Sequence, residues 1–108
     1  MKEIHSMEEW ESVRNESKTE PVFLMKHSST CPISAAGYQE FNKLETDYQK
    51  YYLVVQNSRP LSSAVESDLG IRHESPQLFL LKDGEAVWHT SHHNINQSNI
   101  KSAVEANG

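Results

Sequence analysis

The sequence predicts an α/β domain in which one mixed β-sheet lies between helices on both faces. Two observations lead to this fold class. Apolar, strand-like runs alternate with helical patterns as far as Gly70, which is typical of strands joined by right-handed crossovers. A hairpin signal follows and adds antiparallel strands. The 108 residues, of which 36% are hydrophobic, are enough for one domain over 1–108.

The chain is predicted to begin with a short strand and a helix. A strand is expected at 2–4. Ser6 and Glu9 then have capping-box spacing, which places a helix N-terminus at Ser6. Apolar residues recur at helical intervals after it, so that 7–17 is predicted to be an amphipathic helix.

Two strand and helix pairs follow. The apolar run 22–26 predicts a buried strand, and Pro32 opens a helix expected to reach about Tyr48, since proline is favoured at the first helical position. Aromatic and β-branched residues at 51–55 predict a strand buried on both faces. A third helix is expected over 59–69, with Gly70 after its end.

The last part of the chain is predicted to be a hairpin and a helix. Strands are expected at 77–81 and 85–89, joined by a tight turn at Lys82-Asp83-Gly84. Asn96 is a candidate N-cap for a final helix that ends near Glu105.

Composition excludes several classes of function. The formal charge of −5 and the pI of about 5.6 argue against a nucleic-acid surface, which is usually basic. A single cysteine, Cys31, excludes an internal disulfide and suits a reducing cytoplasm. Residues 1–5 lack the apolar core of a signal peptide, and the apolar runs are too short to span a membrane. We therefore expect a soluble, cytoplasmic protein.

Cys31 is the candidate nucleophile. It precedes Pro32 and so lies at the N-cap of the predicted helix, beside unpaired backbone N–H groups and the positive end of the helix dipole. These donors favour a thiolate. Three residues further on, where a dithiol protein has its second cysteine, the chain has Ser34. The pattern indicates redox chemistry with one thiol, although a lone cysteine is often a small buried apolar residue.

The order of elements, with Cys31 after the first central strand and Ser75-Pro76 before the hairpin, resembles the thioredoxin fold. The motif Thr30-Cys31-Pro32-Ile33-Ser34 resembles that of the monothiol bacilliredoxins, and the segment Trp88 to His92 is also similar to that family. Two features depart from standard thioredoxins. No tryptophan precedes Cys31, and Met25 stands where many thioredoxins have a buried aspartate.

This resemblance implies an activity. Cys31 would take bacillithiol from S-bacillithiolated client proteins, and a second bacillithiol would release it, because Ser34 cannot form a disulfide. Bacillithiol is thus expected as a co-substrate, with no bound cofactor and no metal. The resemblance also implies that Pro76 is a cis proline facing the cysteine. The candidate catalytic residues are Cys31 and Ser34, and the candidate substrate-binding residues are Thr30, Pro32, Ile33, Ser75 and Pro76.

Other roles stay open for several of these residues. Ser34 could bond locally to the backbone, Thr30 could be the N-cap, and Pro76 could be an ordinary strand-entry proline. His27 could stabilise the thiolate if its imidazole is protonated and close. Arg72 could bind a carboxylate of bacillithiol, but a solvated arginine is the commoner case.

The cluster His89, His92 and His93 is expected to be exposed, since it lacks an established zinc spacing.

Two other functions compete with this reading. A monothiol glutaredoxin-like carrier would use Cys31 to bind an iron–sulfur cluster, but that class usually has Cys-Gly-Phe-Ser. In a thioredoxin-like interaction domain without catalysis, Cys31 would be incidental. The substitution Cys31→Ser would then leave the function of the protein unchanged. The fold alone does not separate these alternatives.

Overall fold

A mixed five-stranded sheet organises residues 1–107, the part of the chain that this computed structural model describes. The elements in chain order are β1 (Lys2–Glu3), α1 (Met7–Glu16), β2 (Val22–His27), α2 (Pro32–Lys43), β3 (Lys50–Val54), α3 (Arg59–Leu69), β4 (Gln77–Lys82), β5 (Glu85–Ser91), a 3-10 turn (His92–Asn94) and α4 (Gln97–Asn107). Within these residues, none of the helices has the length and apolar character needed to cross a membrane.

The strands lie in the order β1-β3-β2-β4-β5. β1, β3 and β2 run parallel, whereas β4 is antiparallel to β2 and β5 is antiparallel to β4. The helix crossovers produce the parallel half and the hairpin produces the antiparallel half. The predicted mixed α/β architecture is confirmed.

Each face of the sheet carries its own core. One core is formed with α1 and α3, and its buried residues include Trp10, Val13, Leu24, Leu61, Val65 and Phe79. The other is formed with α2 and α4, and its buried residues include Phe23, Met25, Phe41, Leu78, Ile95 and Ile100. Successive residues of β2 therefore point to opposite cores, and both faces of the central strands are covered.

The predicted caps and the predicted turn are present. The Ser6 hydroxyl accepts the N–H of Glu9 at 3.1 Å, and the Asn96 side chain accepts the N–H of Asn99 at 2.9 Å. Asp83 and Gly84 have φ values of 57° and 79°, the left-handed pair that a two-residue hairpin turn requires.

The prediction that the helix from Pro32 reaches Tyr48 is wrong. α2 ends at Lys43, because Leu44 turns to an extended conformation and is buried. The Lys50 ammonium then donates to the carbonyl oxygens of Phe41, Asn42 and Leu44 at 3.1, 3.1 and 2.7 Å, which satisfies the end of the helix.

The prediction that the third strand is buried on both faces is wrong in its first half. Tyr51 and Tyr52 are only half-buried. Their hydroxyl groups reach the carboxylates of Glu16 at 2.8 Å and Glu3 at 3.4 Å, so a phenol tip stays near the surface.

Candidate active site at the start of α2

Cys31 is the N-cap of α2, as the sequence predicted. Its backbone is extended, with φ −105° and ψ 121°, and its carbonyl oxygen accepts the N–H of Ala35 at 3.0 Å. The thiol side chain is half-buried and makes no capping hydrogen bond. Since Pro32 has no N–H, the first backbone donors of the helix are those of Ile33 and Ser34. A half-buried sulfur at this place is reachable by a substrate and lies at the positive end of the helix dipole.

Ser34 is fully buried and holds the loop before Cys31 in place. Its hydroxyl oxygen accepts the N–H of Ser28 at 2.8 Å and lies 2.8 Å from Nδ1 of His27. The side chain therefore joins the first turn of α2 to the end of β2. Bonding to the nearby backbone was the alternative role considered for Ser34 from the sequence.

The surroundings of His27 favour its neutral form. Burial lowers the pKa of its imidazole below the usual 6.5. The ring packs on Tyr38 with 4.8 Å between centroids, and its Nδ1 is engaged with Ser34. Desolvation therefore disfavours the protonated His27 that could stabilise the thiolate.

Gln56, in the loop between β3 and α3, organises residues 28–30. Its side-chain oxygen accepts the N–H of Ser29 at 3.1 Å. Its amide nitrogen donates to the hydroxyl oxygens of Ser28 at 2.7 Å and Thr30 at 3.2 Å. Thr30 is exposed and is not the N-cap, which is Cys31. The capping role considered for Thr30 is thus wrong, and its hydroxyl lies at the surface beside the cysteine.

Ser75 and Pro76 lie opposite the end of β2. The register pairs Lys26 with Gln77, so that Pro76 and His27 face each other across the two strands. The Ser75–Pro76 peptide bond is cis, as the resemblance implied. The hydroxyl oxygen of Ser75 is buried without a hydrogen-bond partner in residues 1–107. An unpaired buried hydroxyl is costly, which makes Ser75 a candidate contact for a ligand.

His92 fixes the cis-proline segment from the far side of the hairpin. Its backbone N–H donates to the carbonyl oxygen of Pro76 at 3.0 Å, and its Nε2 lies 2.8 Å from a carboxylate oxygen of Glu74. His92 adopts a left-handed φ of 54° to make these contacts. His89, His92 and His93 are exposed, as expected. Across residues 1–107, no three His, Cys, Asp or Glu side chains come together in a way that could hold a metal ion.

The structure brings the predicted residues to one end of the sheet. Pro32 is exposed and Ile33 half-exposed next to Cys31, which gives the thiol an apolar border. Ser34 is buried in the first turn of α2, and the exposed Thr30 directly precedes the cysteine. Ser75 and Pro76 lie on the segment that enters β4.

Two polar residues near this end escaped the sequence analysis. Gln56 gave no signal, because a glutamine in a loop is usually solvated. Lys26 is fully buried although it stands in an otherwise apolar strand. Its ammonium lies 3.2 Å from Nδ1 of His73, and burial lowers its pKa from 10.5 to about 8. A lysine at the end of a run predicted to be buried is the sequence signal that could have drawn attention to Lys26.

Known structures give the same fold. A protein described as a candidate oxidoreductase with a thioredoxin fold superposes with a TM-score of 0.88 at 43% identity, over 94% of this chain and 91% of that one. Thioredoxin from Fasciola hepatica matches with a TM-score of 0.81 at 14% identity, over all of both chains. Thioredoxin from Malassezia sympodialis matches at 0.75 and 19%, over 98% of this chain and 89% of that one.

The sequence itself matches a family. The sequence model of the family described as "Monothiol bacilliredoxin BrxC" matches residues 2–100, which include the whole candidate site. This match and the 43% identical neighbour support a thiol redox function. The chain belongs to the family of monothiol bacilliredoxins.

Proposed function

We propose that this protein is a monothiol oxidoreductase that removes bacillithiol from S-bacillithiolated proteins. The observation that carries the proposal is the position of Cys31, a half-buried thiol at the N-cap of α2 with no second cysteine in the chain. Family membership supplies the substrate class. The co-substrate is free bacillithiol, and the protein needs no resident cofactor. The reducing cytoplasm is the compartment that suits a lone thiol.

In the first step, the Cys31 thiolate attacks the bacillithiol sulfur of the mixed disulfide on the client. A new disulfide forms between Cys31 and bacillithiol, the old disulfide breaks, and the client cysteine leaves as a thiolate. In the second step, the thiolate of free bacillithiol attacks the bacillithiol sulfur on Cys31. The products are bacillithiol disulfide and the regenerated Cys31 thiolate. Each step breaks one disulfide and forms another, so that the client is reduced while bacillithiol is oxidised to its disulfide.

The backbone N–H groups of Ile33 and Ser34 supply the electrostatic assistance in both steps. They are the first donors of α2 without a helical acceptor, and they lie beside a sulfur that is anionic as attacker and as leaving group. Pro32 and Ile33 provide the apolar border for the substrate. The Ser75 backbone and its unpaired hydroxyl are the polar contacts on the opposite side.

Ser34 acts as a positioning residue in this proposal. Its hydroxyl oxygen is engaged with Ser28 and His27 and it is fully buried, so that it holds the loop that ends at Cys31. Because a serine cannot attack the Cys31 disulfide, the modified protein waits for an external thiol.

The proposal is tested with a client protein that carries one bacillithiol. Purified protein is mixed with it, and the intact masses of both proteins are followed. The adduct should leave the client only when Cys31 is present, and Cys31→Ser should be inactive while keeping the same unfolding midpoint within a few degrees. An adduct that stays on the client with the wild-type protein as well as with Cys31→Ser would favour the non-catalytic interaction domain instead.

A further inference from the structure

A cavity of about 230 Å³ lies between α3 and the segment that leads to Pro76. It is distinct from the thiol site described above, since Cys31 is not among its lining residues. The lining residues are Val55, Arg59, Ser62, Ser63, Glu66 and His73. Its volume is too small for a large ligand but fits a small acid or one arm of a larger molecule.

The cavity lining carries one cation, Arg59, and one anion, Glu66, in a protein whose formal charge is −5. Arg59 is exposed at the first turn of α3, and among residues 1–107 no carboxylate lies within salt-bridge distance of its guanidinium. Lys26 lies behind the cavity wall, with its ammonium 3.2 Å from Nδ1 of His73. Arg59 therefore faces the cavity from α3, whereas Lys26 of β2 is fully buried and is not part of the lining.

The one carboxylate of the cavity is already engaged. An oxygen of Glu66 accepts the backbone N–H of His73 at 2.7 Å. Its charge also acts on the buried Lys26. With this carboxylate engaged, the guanidinium of Arg59 is the lining cation that has no ion-pair partner among residues 1–107. The hydroxyl groups of Ser62, which is 5% exposed, and of Ser63 add neutral donors nearby. A guanidinium with adjacent hydroxyl donors is a typical receptor for a carboxylate.

Neighbouring residues connect the cavity with the loop that ends at Cys31 and with the segment that leads to Pro76. Val55 lines it and donates its backbone N–H to the carbonyl oxygen of His27 at 2.9 Å. The next residue, Gln56, holds the loop that ends at Cys31. His73, on the opposite wall, is three residues before Pro76. Gln56 therefore stands between the loop that ends at Cys31 and this cavity, and a ligand whose sulfur lies at Cys31 would have to extend over it to reach Arg59.

We propose that the cavity binds the malate carboxylates of the thiol substrate, with Arg59 as the residue that selects them. The inference rests on the proposed function, because bacillithiol carries its malate on the sugar, away from the sulfur. Arg59 would then be a specificity residue for the adduct and would not take part in disulfide exchange itself.

The test compares two adducts on the same client protein, bacillithiol and cysteamine, which is a small thiol without carboxylates. Arg59→Gln should slow the transfer of bacillithiol to Cys31 about tenfold, as expected for the loss of one charge-assisted contact. The same variant should transfer cysteamine at the wild-type rate. Lys101→Gln, an exposed cation on α4 outside this cavity, is the control and should leave both rates unchanged. Arg72→Gln tests the other arginine that could bind a carboxylate of bacillithiol.

A binding measurement separates the carboxylate from other anions. Free malate, titrated into the 15N-labelled wild-type protein, should shift the amide signals of Ser62, Ser63 and His73, and Arg59→Gln should abolish the shifts. Inorganic phosphate at the same concentration should shift them less.

Three results would overturn the inference: equal slowing of both adducts in Arg59→Gln, slowing in Arg72→Gln instead, or no malate shifts at the cavity. If the wild-type protein transfers cysteamine but never bacillithiol, the proposed function itself fails, and the cavity assignment fails with it.

Discussion

Replacing the buried Lys26 with methionine should stabilise the protein at neutral pH. Lys26 is fully buried in β2, and burial lowers its pKa from 10.5 to about 8. At pH 7 the ammonium stays charged at a desolvation cost, for which this pKa difference sets a ceiling of about 3 kcal/mol. Because the cavity beside His73 brings water close to the head group, we expect a net gain of about 1–2 kcal/mol. Methionine has a similar volume and no charge to desolvate.

The gain should depend on pH in a direction that identifies its cause. The folded protein loses the Lys26 proton near pH 8, whereas the unfolded chain keeps it to about 10.5. Below pH 8 the burial penalty of the wild type is fully present, and it disappears as the pH rises from 8 to 10.5. The stability difference between Lys26→Met and wild type should therefore shrink over this window.

Urea unfolding followed by circular dichroism, between pH 6.5 and 10.5, measures this difference. Lys82→Met, at the exposed end of β4, is the matched control and should change the free energy of unfolding by less than about 0.5 kcal/mol at every pH. A loss of stability in Lys26→Met at pH 7, or a gain that does not vary with pH, would refute the reasoning.

Two further variants test the loop that precedes the thiol. Ser34→Ala should lower the free energy of unfolding by about 1–2 kcal/mol, because the N–H of Ser28 loses its acceptor; the exposed Ser102→Ala is the control, and an equal effect of both would contradict the proposed positioning role. Gln56→Ala should slow adduct transfer to Cys31 several-fold while costing less than about 1 kcal/mol in urea unfolding, since its bonds to residues 28–30 are near the surface. An unchanged transfer rate would show that this loop does not need Gln56.

Local signals were sufficient for most of the fold. Asp83-Gly84 predicted the hairpin turn because few residue pairs adopt two left-handed conformations in succession. Pro32 fixed the start of α2 for a similar reason, since its ring favours the first helical position. The end of α2 was mispredicted because its cap is the side chain of Lys50, which belongs to the following strand. The sequence around Lys43 does not show that the Lys50 side chain folds back onto the end of the helix.

The sequence likewise predicted one part of the candidate site and missed another. Cys31, Pro32 and Ser34 were visible as one contiguous motif, and their backbone placement follows from the helix they begin. The partners of Ser34 were not predictable, because His27 at the end of β2 and Ser28 in the following loop meet it only when the loop folds back. The cavity of Arg59 and His73 is assembled from separate elements, and only the tertiary structure brings His73 beside the residues of α3.

The fate of a single adduct on Cys31 tests the account most directly. Wild-type protein is mixed with an equimolar bacillithiolated client in the absence of free bacillithiol, and intact masses are recorded over time. We predict that the protein gains the mass of one bacillithiol, keeps it, and releases it only after bacillithiol is added. An adduct that never leaves the client, or one that leaves Cys31 without any added thiol, would contradict the single-thiol mechanism.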